Sequence, residues 1–378
     1  MILSIGAFLI IYILLNYYIG VKGLDLLGIY NIEPNKVLYW TIFYFIVFSY
    51  ILGKILRKYI SKSIIKILDY LGSYWMAIML YSFLVILVVD IIREINGRLQ
   101  IISINNSVKL ILGSLILVGL LFILIYGTFN GRNTVVNKYE LNIEKKAGNL
   151  KSINILMASD IHIGSSGYKN RMEKLVELTE SIKPDVVLLV GDIIDDSVEP
   201  FIDRDMGQYF KKIKTPLGVY GVTGNHEYIS RRADEFVEIL KESKVIVLQD
   251  EYIKIKDSFY IIGRNDIGCE GYYGKKRKTL KDITSDMDKN MPIILMDHQP
   301  RNLNEALEEG VDLQLSGHTH KGQLSPSNII TNKIFEIDWG YLKKKSLNII
   351  VSSGFGTWGP PMRIGSRSEL VNIVLNFK

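Results

Sequence analysis

The chain has 378 residues and a single cysteine, Cys269. This excludes an intramolecular disulfide framework and any thiolate zinc cluster. Histidine is almost as scarce: there are five, none of them before residue 151. The second part of the chain also lacks a charge excess. After residue 150, 31 Lys and Arg face 32 Asp and Glu, whereas residues 1–150 hold 14 and 7. The basic surplus therefore belongs to loops between apolar segments, where it meets anionic headgroups. A nucleic-acid interface would need a basic stripe on a folded domain, so nucleic acid is not an expected partner. Internal repeats and low-complexity tracts are absent as well.

What is abundant is apolar sequence, and it is concentrated at the start. Four stretches, Ile2–Val21, Val37–Leu56, Tyr70–Val89 and Leu110–Phe129, each suffice to cross a hydrocarbon layer that needs about 20 apolar residues. Tyr17, Tyr18, Tyr39, Trp40, Tyr74 and Trp75 lie near their ends, as in interfacial belts. The first stretch has no basic n-region and no small-residue cleavage site, so it reads as an anchor and not as a cleaved signal peptide. Lys54 and Asp90 sit at segment ends, within reach of the interface by snorkelling; a transport path is the alternative reading. The expected division is a transmembrane helical domain over 1–130, a linker with a first edge strand (Val135–Ile143) over 131–151, and a catalytic domain over 152–378. The expected location is the cell membrane, multi-pass. Seven basic residues (Lys54, Arg57, Lys58, Lys62, Lys66, Arg132, Lys138) against five on the other side (Lys22, Lys36, Arg93, Arg98, Lys109) lean slightly toward a cytoplasmic catalytic domain.

The remainder alternates short β-rich runs with amphipathic stretches, the pattern of an α/β fold. Five such runs end in polar residues. Ile153–Ala158 leads to Asp160 and His162, Val186–Val190 to Gly191, Asp192 and Asp195, and Gly218–Val222 to Gly224, Asn225, His226 and Glu227. Ile293–Met296 leads to Asp297 and His298, and Leu313–Leu315 to Gly317, His318 and His320. Ligands bind at C-terminal strand edges in such sheets, and every histidine of the chain falls at one. Imidazole, carboxylate and amide oxygen without thiolate suit Mn²⁺, Fe or Zn²⁺. The set is too large for one tetrahedral ion but fits two divalent ions sharing a carboxylate. Two ions ~3.5–4 Å apart can hold a bridging hydroxide and clamp an in-line phosphoryl displacement.

This ordered set, Asp160-x-His162, Gly191-Asp192-x-x-Asp195, Gly224-Asn225-His226-Glu227, His298 and Gly317-His318-x-His320, resembles the calcineurin-like metallophosphoesterase superfamily over about residues 150–378. Gly317–Gln323 and the later Ser353–Gly356 and Gly359–Arg363 segments resemble its branch of transmembrane proteins with a metallophosphoesterase domain. The resemblance implies two mixed β-sheets, sandwiched and flanked by helices. It also implies roles: Asp160, His162 and His320 on a first metal, Asp192 bridging, and Asn225, His298 and His318 on a second. By the same resemblance, His226 stabilises or protonates the leaving oxygen, with Asp195 orienting it.

Asp196 stands where many members carry a phosphate-contacting Arg. A carboxylate there repels a dianionic monoester more than a monoanionic diester, which favours a diester or pyrophosphate substrate. Lys321 departs from the branch's usual Gly, and both Lys321 and Arg363 are candidate substrate-binding residues. The run Lys275-Lys276-Arg277-Lys278 reads first as a solvated charge cluster and second as a cap on phosphate or anionic lipid. The expected partners are membrane lipids and a phosphorylated substrate, lipid-linked or nucleotide-linked. The alternatives are a phosphomonoesterase on soluble substrates and a catalytically silent membrane scaffold.

Overall fold

The computed structural model describes residues 2–103, 105–164 and 168–378. It divides into two compact units, one formed by residues up to Thr128 with Gly359–Pro361, the other by Phe129–Trp358 with Met362–Lys378.

The first unit is helical: α1 (Ile2–Ile29), α2 (Lys36–Leu56), α3 (Lys62–Leu99) and, running into the second unit, α4 (Asn106–Arg132). All four are long and apolar enough to cross a membrane. Three of them outrun the apolar stretches, because backbone hydrogen bonding carries a helix past its apolar core into polar sequence. α3 starts at the cap where Ser61 accepts from the Ile64 N–H, and α2 where Asn35 accepts from the Leu38 N–H. Asp90, expected just beyond the third span, lies inside α3. It pairs with Lys22 at 2.7 Å and accepts from the Tyr18 hydroxyl. Asp69, not singled out above, is buried in α3 with Arg57 3.7 Å away. The Trp75 indole donates to Asn16 at 2.9 Å, so the two polar groups satisfy each other between helices. Gly72 lets α2 approach: a Cβ there would stand 2.4 Å from the Tyr50 nitrogen.

Among the described residues the second unit holds twelve strands: β1 (Val135–Ile143), β2 (Ser152–Ala158), β3 (Val186–Val190), β4 (Val219–Val222), β5 (Ile246–Val247), β6 (Glu251–Ile255), β7 (Phe259–Gly263), β8 (Ile293–Met296), β9 (Leu313–Ser316), β10 (Gly340–Lys344), β11 (Leu347–Val351) and β12 (Glu369–Phe377). They form two six-stranded sheets, ordered β1-β12-β2-β3-β4-β5 and β10-β11-β9-β8-β7-β6. Both sheets are mixed. In the first, β12 runs antiparallel to β2 while β2, β3, β4 and β5 are parallel. In the second, β7, β8, β9 and β11 are parallel, with antiparallel β6 and β10 at the edges.

Strand alternation builds the layers. Ile153, Ile155 and Met157 of β2 face the other sheet, meeting Phe259, Ile261, Ile294, Met296, Leu313 and Leu315. Leu156 and Ala158 point the other way, under Met172 and Leu175 of the Tyr168–Ile182 helix. On the far side, Ile262, Ile293 and Leu295 are covered by Leu280, Ile283, Leu303 and Ala306. The result is two face-to-face sheets with helices outside, as the resemblance implied. β3 (Val-Val-Leu-Leu-Val) is apolar throughout because a central parallel strand is buried on both faces.

The basic segment is solvated at Lys275, Lys276 and Lys278, which are exposed, and departs from that reading at Arg277. The Arg277 guanidinium is buried on the Asp297 carboxylate. The following Leu280–Thr284 helix inserts Leu280 and Ile283 into the core. A buried apolar turn pulls the nearby guanidinium down with it, and the charge persists there because a carboxylate meets it.

Candidate metal centre

The parallel strands β2, β3 and β4 of one sheet and β8 and β9 of the other end at a common edge, and the polar residues that follow them converge there. Asp160, His162 and His320 bring one ligand atom each into one cluster, and Asp192, His298 and His318 into a second. In the first, His162 Nε2 and His320 Nε2 lie 3.0 Å apart, and His320 Nε2 is 3.3 Å from Asp160 Oδ1. These spacings match the edge of a coordination polyhedron with metal–ligand bonds of ~2.0–2.2 Å. In the second, Asp192 Oδ2 stands 3.0 Å from His298 Nε2 without forming a hydrogen bond. Asn225 Oδ1 lies 2.8 Å from His318 Nδ1. Asp192 Oδ2 is also 4.0 Å from His162 Nε2, so one carboxylate oxygen stands between both clusters.

The backbone is strained where these side chains converge. Asp160, His162, Asp192, His318 and His320 all adopt positive φ, between 48° and 70°. Such conformations cost about 1–3 kcal/mol each and persist where the surroundings over-determine them. Main-chain bonds hold the turns: Asp160 N–H donates to Gly191, His162 N–H to Asp192, and the Asp160 carboxylate accepts from His318 N–H. At Gly191, itself at φ 78°, a Cβ would lie 2.5 Å from His298 Nδ1. That nitrogen is 2.8 Å from the Val190 carbonyl. A carbonyl only accepts, so Nδ1 carries the proton and Nε2 is the nitrogen turned to the cluster.

Electrostatics support cation binding. Burial would raise Asp192, but the charges of His298 and His226 hold it well below the usual carboxylate range. Burial alone would lower His298, yet Asp192 raises it well above its ordinary value. The protein thus compensates Asp192 with a proton where a divalent cation would serve. His318 and His320 are pushed down to about 4 by burial first, then by neighbouring positive charge, and are neutral donors. The donor set, with orphaned His298 Nε2 and no thiolate, fits two borderline or hard divalent ions.

His226 belongs to neither cluster and stands over the first, its ring 4.7 Å from that of His162. Its Nδ1 lies 2.8 Å from the main-chain carbonyl of Asp195, while the Asp195 carboxylate is 3.5 Å away. Asp195 therefore orients His226 chiefly through its backbone. Burial lowers His226, but Asp192 and Asp195 prevail and raise it, favouring a protonated ring.

The two candidate substrate-binding residues part company. Lys321 is half-buried beside the cleft, its ammonium 3.6 Å over the Trp339 ring. Arg363 is fully buried and does not reach solvent as a substrate contact would. It donates to the Gly354 and Gly356 carbonyls and lies 3.2 Å from His320 Nδ1. Its length carries the guanidinium inward, where main-chain carbonyls accept from its two terminal nitrogens. Glu227 has a role the sequence reading did not assign. Its buried carboxylate accepts from Gly224, Asp192, Ile193 and Ile194 N–H at 2.6–3.1 Å, clamping two of the polar turns together. The available signal was its place at the third position of the Asn225–Ile229 turn, where an acid reaches back to the preceding N–H. Arg171 similarly donates to the Ile161 carbonyl at 2.6 Å.

A family model described as calcineurin-like phosphoesterase matches residues 153–322. A transmembrane protein with metallophosphoesterase domain from Danio rerio is 31% identical over 266 residues, covering 66% of this chain and 60% of its own length. Its Bos taurus counterpart is 29% identical, covering 64% and 56%. An uncharacterized metallophosphoesterase from Aquifex aeolicus is 33% identical over 245 residues, 64% of this chain and 92% of that protein. The chain thus spans little more than half the length of the two vertebrate relatives.

Proposed function

Since the chain belongs to the calcineurin-like metallophosphoesterase family, we propose that it is a membrane-anchored, dinuclear-metal phosphohydrolase. The observation that carries the reading is Asp192 Oδ2 lying between two clusters of convergent imidazoles. Two divalent ions, when bound, would supply activated water and charge neutralisation at phosphorus. Asp160, His162 and His320 would hold one; Asn225, His298 and His318 the other; Asp192 both. Protonated His226, fixed by the Asp195 carbonyl, is placed to give its proton to the leaving oxygen, a contribution of about 10²–10⁴ in rate.

Asp196, the chain neighbour of Asp195, favours a diester or pyrophosphate over a dianionic monoester. The four apolar helices favour a substrate at the bilayer, lipid-linked or nucleotide-linked, in the cell membrane; the slight basic bias favours a cytoplasmic catalytic unit. The test is hydrolysis of bis(p-nitrophenyl) phosphate by the detergent-purified full chain with Mn²⁺. Activity abolished by Asp192→Ala supports the reading; no wild-type activity on monoesters, diesters or lipid pyrophosphates favours the silent scaffold.

A further inference from the structure

The Ser327–Ile334 helix follows the His318–His320 turn and is fastened to it. Thr331 donates to Asp338, whose carbonyl accepts from Thr319, and Phe335 at the helix end packs its ring 6.1 Å from that of His318. Yet no residue of this helix is buried. Ile329, Ile330 and Ile334 are 56%, 60% and 62% exposed. Ile330 and Ile334 are one turn apart and Ile329 adjoins them, so the three share a face. Trp358, also apolar and 55% exposed, stands at the site with its ring 6.2 Å from that of His226.

Lys333 is exposed on the same helix as the three isoleucines. Exposed isoleucine and tryptophan with a nearby lysine is the composition of a helix that lies in a membrane interface. The occupant is close at hand. α4, apolar enough to cross a bilayer, ends at Arg132, and β1 begins at Val135.

We propose that the Ser327–Ile334 helix and Trp358 form an interfacial docking surface that seats the mouth of the metal-ligand cleft on the bilayer. The purpose of this surface, to present the cleft to phosphates at headgroup depth, rests on the phosphoesterase reading. The docking itself is measured without turnover, so its failure and the failure of that reading are separable.

The test uses the full chain in nanodiscs of phosphatidylcholine and phosphatidylglycerol. Because the single native thiol, Cys269, is buried, the wild type is the labelling blank. A nitroxide at Ile330→Cys is compared with one at Glu238→Cys on the exposed, opposite-charge surface of the Ala233–Glu242 helix. The proposal expects collision with oxygen relative to a water-soluble nickel chelate to be several-fold higher at position 330 than at 238. Equal ratios at the two positions overturn it. So does spin–spin broadening at position 330 that persists in detergent, which would assign the face to a second copy of the chain.

Discussion

Glu227→Gln changes almost no volume but removes half of an acceptor. In the native arrangement one carboxylate oxygen takes the Ile193 and Ile194 N–H and the other takes those of Asp192 and Gly224. An amide must turn its NH₂ toward one of these pairs, losing two charge-assisted hydrogen bonds and placing donors against donors. Burial, then the charge of Asp192, push the Glu227 carboxyl up to about 7, so the comparison belongs above that pH, where the group is ionised. At about 1.5–3 kcal/mol each, the loss there is roughly 3–6 kcal/mol, a large share of the 5–15 kcal/mol that a domain typically has. The cost falls on the turns that carry Asp192, Asn225 and His226, so cation binding fails together with stability. Thermal melting of the purified full chain, with and without Mn²⁺, reads both. The expectation is a markedly lower Tm and the loss of most of the Mn²⁺-dependent increase. An unchanged Tm with an intact Mn²⁺ response would refute the clamp. Glu227→Asp, which keeps the charge but shortens the reach, should fall between the two.

Arg363→Met should weaken Mn²⁺ binding about 10–100-fold, because it frees the His320, Gly354 and Gly356 carbonyls that the guanidinium ties together behind the first cluster, and calorimetric titration would show it; unchanged affinity would mean that packing alone holds these turns. His226→Gln should retain Mn²⁺ binding while phosphodiester hydrolysis falls by about 10²–10⁴; parallel loss of metal would instead make His226 a ligand. The pH response has a definite sign. The raised folded-state value of His298 means that its proton stabilises the metal-free unit fully below 6.5, and that this contribution is lost as pH rises through the raised value. Metal-free Tm should therefore decline over that window, and Mn²⁺ should restore it with an affinity that increases with pH as the proton is displaced. A pH-independent Mn²⁺ affinity would contradict this.

Much of the molecule is legible in short stretches of sequence, because the relevant physics is local. Twenty-residue apolar runs mark α1 to α4 since a helix satisfies its own backbone in any apolar surrounding. Runs such as Val186–Val190 ending in Gly-Asp mark strands with polar C-terminal edges, and the ligand types follow from five such edges, whereas the two mixed sheets are what the family resemblance implies. Other features required residues distant in the chain to meet. β12, at the end of the chain, is inserted between β1 and β2, a pairing no local pattern encodes. Arg363 and Arg277 look like surface cations until the fold buries one among main-chain carbonyls and the other on Asp297. Asp90 reads as a charge at a segment end, and Asp69 draws no reading, until the fold sets them inside one helix with Lys22 and Arg57 beside them. Periodicity reports which face of an element is apolar, but a buried charge is tolerated only where a partner from elsewhere arrives, and tertiary structure alone decides that.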